Sequence, residues 1–204
     1  MSIFRALMEK PWMVEGVIDD VYGVDHKSLP TAKFGLRVFL VVATVVFSLI
    51  VVTYFERMLV PDWRALQIPL VLWPNTALLI LSSIALQWAR VSADRGRLDG
   101  VKSGLLLGGV FAFAFLVGQL LAWRQLIDLG YFVAANPANA FFYLITALHG
   151  LHLLGGLVAW ARTSAKVRRG VALDRLRLSV ELCAIYWHFL LVIWLILFGL
   201  LWFT

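Results

Sequence analysis

Residues 181–203 read ELCAIYWHFLLVIWLILFGLLWF, with one acid at the start and one histidine near the middle. A helix of that length rises roughly 34 Å, enough to cross the ~30 Å hydrocarbon core of a bilayer. No soluble fold suits such a segment when the whole chain is 62% hydrophobic and only 15% charged. A soluble domain of 204 residues has too little interior to hide that much apolar surface. The apolar residues also fall into runs of spanning length, at 34–54, 68–88, 104–123, 138–161 and 180–203. The expectation is an all-α integral membrane protein, a bundle of five transmembrane helices over 34–204. A polar arm over 1–33 precedes it, with no short apolar core and cleavage site to mark a removable signal.

Charge sets the orientation. Five spans put the arm, the loop 90–102 and the loop 162–177 on one side, with four, four and six Lys or Arg residues. The other side holds Arg57, Arg64 and Arg124. The positive-inside rule then puts the N-terminus in the cytoplasm and the C-terminus in the periplasm. It also accounts for the net charge of +6 without a nucleic-acid partner. The one cysteine, Cys183, lies within a span, so no disulfide framework is possible.

Several residues inside the spans invite a local reading. Pro74 should kink the second span by removing a backbone donor. Gly104, Gly108 and Ala112 fall four apart, as do Ala114, Gly118 and Ala122, a spacing that lets helix backbones approach closely. Arg37 lies in the first turn of span one and can reach the interface. Gln87 and Gln119 can bond to neighbouring helices, and Trp187 and Trp194, seven apart, form an aromatic stripe. Asn136-Pro137 marks a turn before the fourth span.

Three of the four histidines lie at membrane depth, where polar groups are costly and need partners. His149 is ~16 Å into span four and His188 ~14 Å into span five, so both reach the middle third. His152 is one turn from His149, on the same side. Three readings stay open on the residues alone. The histidines tie helices together by hydrogen bonds, they ligate a haem or metal between facing helices, or they form a proton path with Glu181. Glu181, near the cytoplasmic end of span five, is expected in the first turn, where the helix dipole favours an acid.

Taken in order, the motifs resemble subunit III of the haem–copper terminal oxidases, the cytochrome c oxidase family. The resemblance runs from about residue 33 to 202. Its carriers are Asn75–Ser83 with Trp88-Ala89, Phe115–Gln119 with Trp123, His149-Gly-Leu-His152, and Glu181 followed by Tyr186-Trp-His-Phe189 and Trp194. It implies an accessory subunit of a respiratory oxidase that oxidises cytochrome c, reduces oxygen and pumps protons, in the bacterial inner membrane. Such a subunit carries no haem, copper or other metal. It packs against the catalytic subunit I beside subunit II, holds phospholipids between its helices and stabilises the active site. Cytochrome c, or a quinol, would meet the complex rather than this chain, and a respiratory supercomplex is a further expected setting.

The resemblance also implies that Arg37, His149, His152, Glu181 and His188 are structural or lipid-facing polar residues, with Arg37 or a loop arginine taking the lipid phosphate. The long form of the family has seven spans, and its first two are missing here. Ala43, Ala122 and Leu191 stand where the family often has acids, which argues against a share in proton uptake. The subunit of a quinol oxidase or of a nitric-oxide-reductase-associated complex is the nearest alternative. A haem-b anchor of a quinone-linked dehydrogenase is the alternative of another class.

Overall fold

The computed structural model describes residues 31–66 and 68–203, without the side chains of 173–175. The polar arm expected over 1–33 therefore lies, up to residue 30, outside the described residues. The described part is helical: α1 Thr31–Met58, α2 Leu72–Asp94, α3 Leu98–Asp128, α4 Pro137–Arg168 and α5 Leu173–Phe203. All five are long and apolar enough to cross a membrane.

The helix ends follow from local chemistry. Gly96, Gly130 and Gly170 follow α2, α3 and α4 with φ of +76°, +83° and +69°. Only glycine takes that left-handed turn without steric cost. Each turn lets the next residue cap the helix: Arg97, Tyr131 and Val171 donate backbone N–H bonds to the carbonyls of Ser92, Leu126 and Lys166. Asn136 starts α4, its side chain accepting from the Ala138 N–H with Pro137 at the first helical position. The same amide donates to the Arg64 carbonyl at 2.5 Å, tying the α1–α2 loop to the start of α4.

Two expectations need correction. Pro74 kinks nothing. The helix begins at Leu72, so Pro74 is its third residue, where a backbone N–H has no acceptor within the helix anyway. Glu181 is not in a first turn, because α5 begins at Leu173 and continues through the basic loop. It is the ninth residue of its helix, beyond reach of the helix terminus.

Helices α2, α3, α4 and α5 form a closed ring in that order, with α5 returning to α2. The α2–α3 pair is the most closely packed, and glycine is the reason. A Cβ on Gly104 would lie 2.7 Å from the Ala85 carbonyl oxygen, and one on Gly108 2.8 Å from Leu86 Cγ. Gly118 lies under Asn75 in the same way. Between α4 and α5 the contact is made at Gly156, beneath the rings of Tyr186 and Trp187. The ring is filled by Trp187 and Trp194 of α5, Phe115 of α3, Phe142 of α4, and Leu79 and Leu86 of α2.

Helix α1 lies outside the ring. Only Ala43, Phe47 and Tyr54 on it are buried, one stripe at intervals of four and seven. Its contacts are made by rings: Phe39 and Phe47 meet His152 at 6.1 and 5.1 Å, and Tyr54 meets Phe141 edge-on at 5.4 Å. The rest of α1 presents Val38, Val41, Val42, Val45 and Leu49 outward.

Gly104→Ala should destabilise the α2–α3 pair by about 1–3 kcal/mol, because the added methyl meets backbone that cannot give way. Gly150→Ala, where nothing lies within 4 Å, should be neutral. Unfolding in detergent checks both, and equal effects would count against the close approach.

Candidate functional site

Two groups of polar side chains stand out within the spans, a seam and a layer. The seam joins α2 to α5, which run antiparallel. Trp194 Nε1 donates to Thr76 Oγ1 at 2.9 Å, and Trp187 Nε1 donates to Ser82 Oγ at 2.8 Å. Ser82 in turn donates to the Gly108 carbonyl at 2.7 Å, so one hydroxyl links α5, α2 and α3. One residue further along, His188 meets Ser83 Oγ with Nδ1 at 2.5 Å and Gln87 Oε1 with Nε2 at 3.0 Å. An amide oxygen only accepts, so Nε2 carries the proton and the Ser83 hydroxyl donates to Nδ1. Arg90 and Glu181 close the seam as an ion pair at 3.5 Å.

The register is regular. Thr76, Ser83 and Arg90 are spaced by seven on α2, against Trp194, then Trp187 and His188, then Glu181 on α5. A seven-residue step is two helical turns, so each pair repeats the previous one two turns along. Sequence reasoning singled out Glu181, His188 and the two tryptophans, and read Thr76, Ser82 and Ser83 as polar groups facing other helices, but it did not pair them and placed Arg90 in a loop. The signal lay in the matching steps of seven on two apolar runs.

The layer lies inside the ring around His149, which is fully buried. Its imidazole lies 5.0 Å from the Trp194 ring and edge-on to Phe115 at 6.0 Å. Neither ring nitrogen meets a hydrogen-bond partner among the described residues. Asn75 Nδ2 on α2 donates to Gln119 Oε1 on α3 at 3.3 Å, and Trp123 Nε1 on α3 donates at 3.0 Å to Thr146 Oγ1 on α4, the helix of His149 itself.

The three membrane histidines thus have three different surroundings. His188 bridges two helices through side chains. His149 packs against the Trp194 and Phe115 rings with no hydrogen-bond partner among the described residues. His152 bonds with Nδ1 to the Leu148 carbonyl of its own helix at 2.9 Å and packs on Phe39 and Phe47. His149 and His188 share neither a partner nor a ring contact. Among the described residues, no three His, Cys, Asp or Glu side chains are grouped to hold a metal ion.

A separate groove of about 480 Å³ opens between α1, α4 and α5. Leu36 and Phe39 form one wall and Leu182 and Tyr186 the other, with Arg162 and Lys166 at one end. Lys166 Nζ donates to Ser179 Oγ at 2.9 Å, and Tyr186 donates from its hydroxyl to the His152 carbonyl at 2.8 Å. Arg37 is exposed on α1 but is not part of this lining. At the opposite ends of the helices, Arg57 gives two 2.6 Å hydrogen bonds to Asp62 and holds its carboxyl below the usual range.

The five helices thus form a membrane bundle tied together by a polar seam, beside an open groove with basic residues at one end. The sequence model of cytochrome c oxidase subunit III matches residues 5–204. The chain is 28% identical over 130 residues to the "Probable cytochrome c oxidase subunit 3" of Mycobacterium tuberculosis, covering 64% of each protein. It is 32% identical over 128 residues to the cytochrome c oxidase subunit 3 of Thermostichus vulcanus, covering 62% of each. That of Mycosarcoma maydis is 26% identical over 203 residues, 92% of this chain and 72% of that one. The chain spans somewhat under two thirds of the length of the mycobacterial and Thermostichus relatives. It belongs to the cytochrome c oxidase subunit III family.

A double-mutant cycle on Ser82→Ala and Trp187→Phe should give a coupling of about 0.6–1.7 kcal/mol, the range of interhelical bonds in membranes. Thermal unfolding of the four proteins in detergent measures it. A coupling indistinguishable from zero would mean the indole is held by packing alone.

Proposed function

We propose that this chain is an accessory subunit of a respiratory haem–copper oxidase, one that oxidises cytochrome c and reduces oxygen while pumping protons. It carries no redox group. It stabilises the catalytic subunit I, in a complex with subunit II, and holds phospholipid. The family match over residues 5–204 is the observation that carries this reading. The seam supports it, because its indoles, hydroxyls, imidazole and ion pair join α5 to α2 and α3, as suits a scaffold. Ala43 and Ala122 are buried without a carboxylate where a proton antenna would need one, and Leu191 adds none.

The groove between α1, α4 and α5 fits the lipid role. Its walls suit acyl chains, and Arg162 and Lys166 provide positive charge at the end where a phosphate would sit. Each such cation near an anionic headgroup contributes ~1 kcal/mol. Phosphate recognition in this reading falls to Arg162 and Lys166 near the end of α4, rather than to Arg37. The charge asymmetry of the loops supports a cytoplasmic N-terminus and a periplasmic C-terminus, in the bacterial inner membrane.

Three measurements test the proposal. The tagged chain, purified from membranes in mild detergent, should bring haem-containing oxidase subunits with it, while the isolated chain shows no Soret band. Recovery of the chain with haem bound to itself alone would overturn the reading. Replacing both Arg162 and Lys166 by Gln should weaken retention of one phospholipid by about 2 kcal/mol, some thirtyfold, in native mass spectra taken at increasing detergent. His188→Leu should loosen the subunit in the complex by a cost on the order of 0.6–2 kcal/mol and leave the haem spectrum per catalytic subunit unchanged.

A further inference from the structure

The outward faces of the ring differ in chemistry. Helix α3 presents Leu106, Val110, Phe113, Val117 and Leu120, and α4 presents Leu144, Leu151, Leu154 and Val158. Those surfaces match hydrocarbon. The outer side of the α2·α5 seam differs, because it sets an apolar slot in line with polar groups. At one end a groove of about 420 Å³ lies between Trp73, Ile80, Leu195 and Trp202, with Ala77 and Gly199 at its floor. Farther along, His188 and Gln87 are only half-buried. The Gln87 side chain accepts from His188, but its amide nitrogen meets no partner among the described residues. At the other end Arg90 and Glu181 keep 33% and 26% of their side-chain surface open.

Depth makes this costly for a lipid-facing surface. Gln87 lies 14 residues from Trp73, roughly 21 Å along α2, and seven from Asp94, roughly 10 Å. It is therefore within the span, where acyl chains offer no hydrogen bond. An imidazole, an amide and an ion pair in one line, beside a slot floored by small residues, form a helix-association surface. The α3 and α4 faces carry nothing comparable.

We propose that the outer side of the α2·α5 seam is the surface on which this chain docks to another membrane-spanning subunit of the oxidase. The partner contributes a transmembrane helix. That helix bears a hydrogen-bond acceptor opposite the Gln87 amide and a bulky apolar side chain that enters the slot over Ala77 and Gly199. The α3 and α4 faces are left to lipid. The assignment rests on the reading of this chain as an oxidase subunit and adds which side of it faces the partner.

The experiment is photo-crosslinking in intact membranes, with benzoylphenylalanine placed singly at Ile80, Ile84 or Leu195 on the seam, and at Val110, Val117 or Leu151 elsewhere. All six positions are exposed, so folding is not at stake. Adducts with another oxidase subunit are expected from the three seam positions and not from the other three. Gln87→Leu should also lower the amount of this chain retained on the detergent-washed oxidase by about fivefold, with Val110→Leu unchanged. Seam positions that yield only lipid adducts, or subunit adducts only from α3 or α4, overturn the docking surface and leave the oxidase reading in place. Failure of the unsubstituted chain to co-purify with any oxidase subunit overturns that reading itself.

Discussion

An indole N–H buried among hydrocarbon has no water to turn to, and its only relief is another protein group. Trp187 and Trp194 impose that requirement at two levels of one helix, and the hydroxyls of Ser82 and Thr76 meet it. The two rings fill the centre of the four-helix ring, so their position fixes how α5 lies against α2. Ser82 passes the constraint on to α3 through the Gly108 carbonyl, which is accessible because position 108 has no side chain. Since lipid tails are as apolar as leucine, burial alone does little to hold membrane helices together. Hydrogen bonds and close backbone approach then decide the geometry. Both are concentrated where α2 meets its two neighbours.

Much of this could be read from the residues. The five apolar runs foretold five long helices, and the HGLH and YWHF motifs pointed to the family that the comparisons then identified. Small residues four apart on the third run anticipated the Gly104–Gly108 contact with α2. What escaped was whatever depends on where a helix starts. Periodicity marks the apolar centre of a helix, not its polar first turns. So Pro74 looked like an interior kink and Glu181 looked like a first-turn acid, when α2 starts later and α5 starts earlier than hydropathy suggested. The partner of Glu181 was missed for a related reason, since Arg90 was read as part of a loop rather than as the fifth turn of α2.

The histidines show a different limit. Their depth was legible, and depth alone made His149 and His188 a plausible pair. Depth does not give the direction in which a side chain points. His149 points into the ring against Trp194 and Phe115, and His188 into the α2·α5 seam. His152 faces α1. Only the matched steps of seven on α2 and α5 could have told His188 apart.

The glycine-ended turns bear on how such a chain is built into a bilayer. Only residues 95–97 separate α2 from α3, and only 169–172 separate α4 from α5, whereas 59–71 and 129–136 form the other two connections. Two helices joined so tightly cannot enter the lipid far apart in time or place. The short connections suit entry as hairpins, α2 with α3 and then α4 with α5. The closest backbone contact, at Gly104 and Gly108, lies within the first hairpin and can form before the rest of the chain leaves the ribosome. The tryptophans of α5 come last, so the polar groups of α2 must wait through synthesis for the donors that complete them.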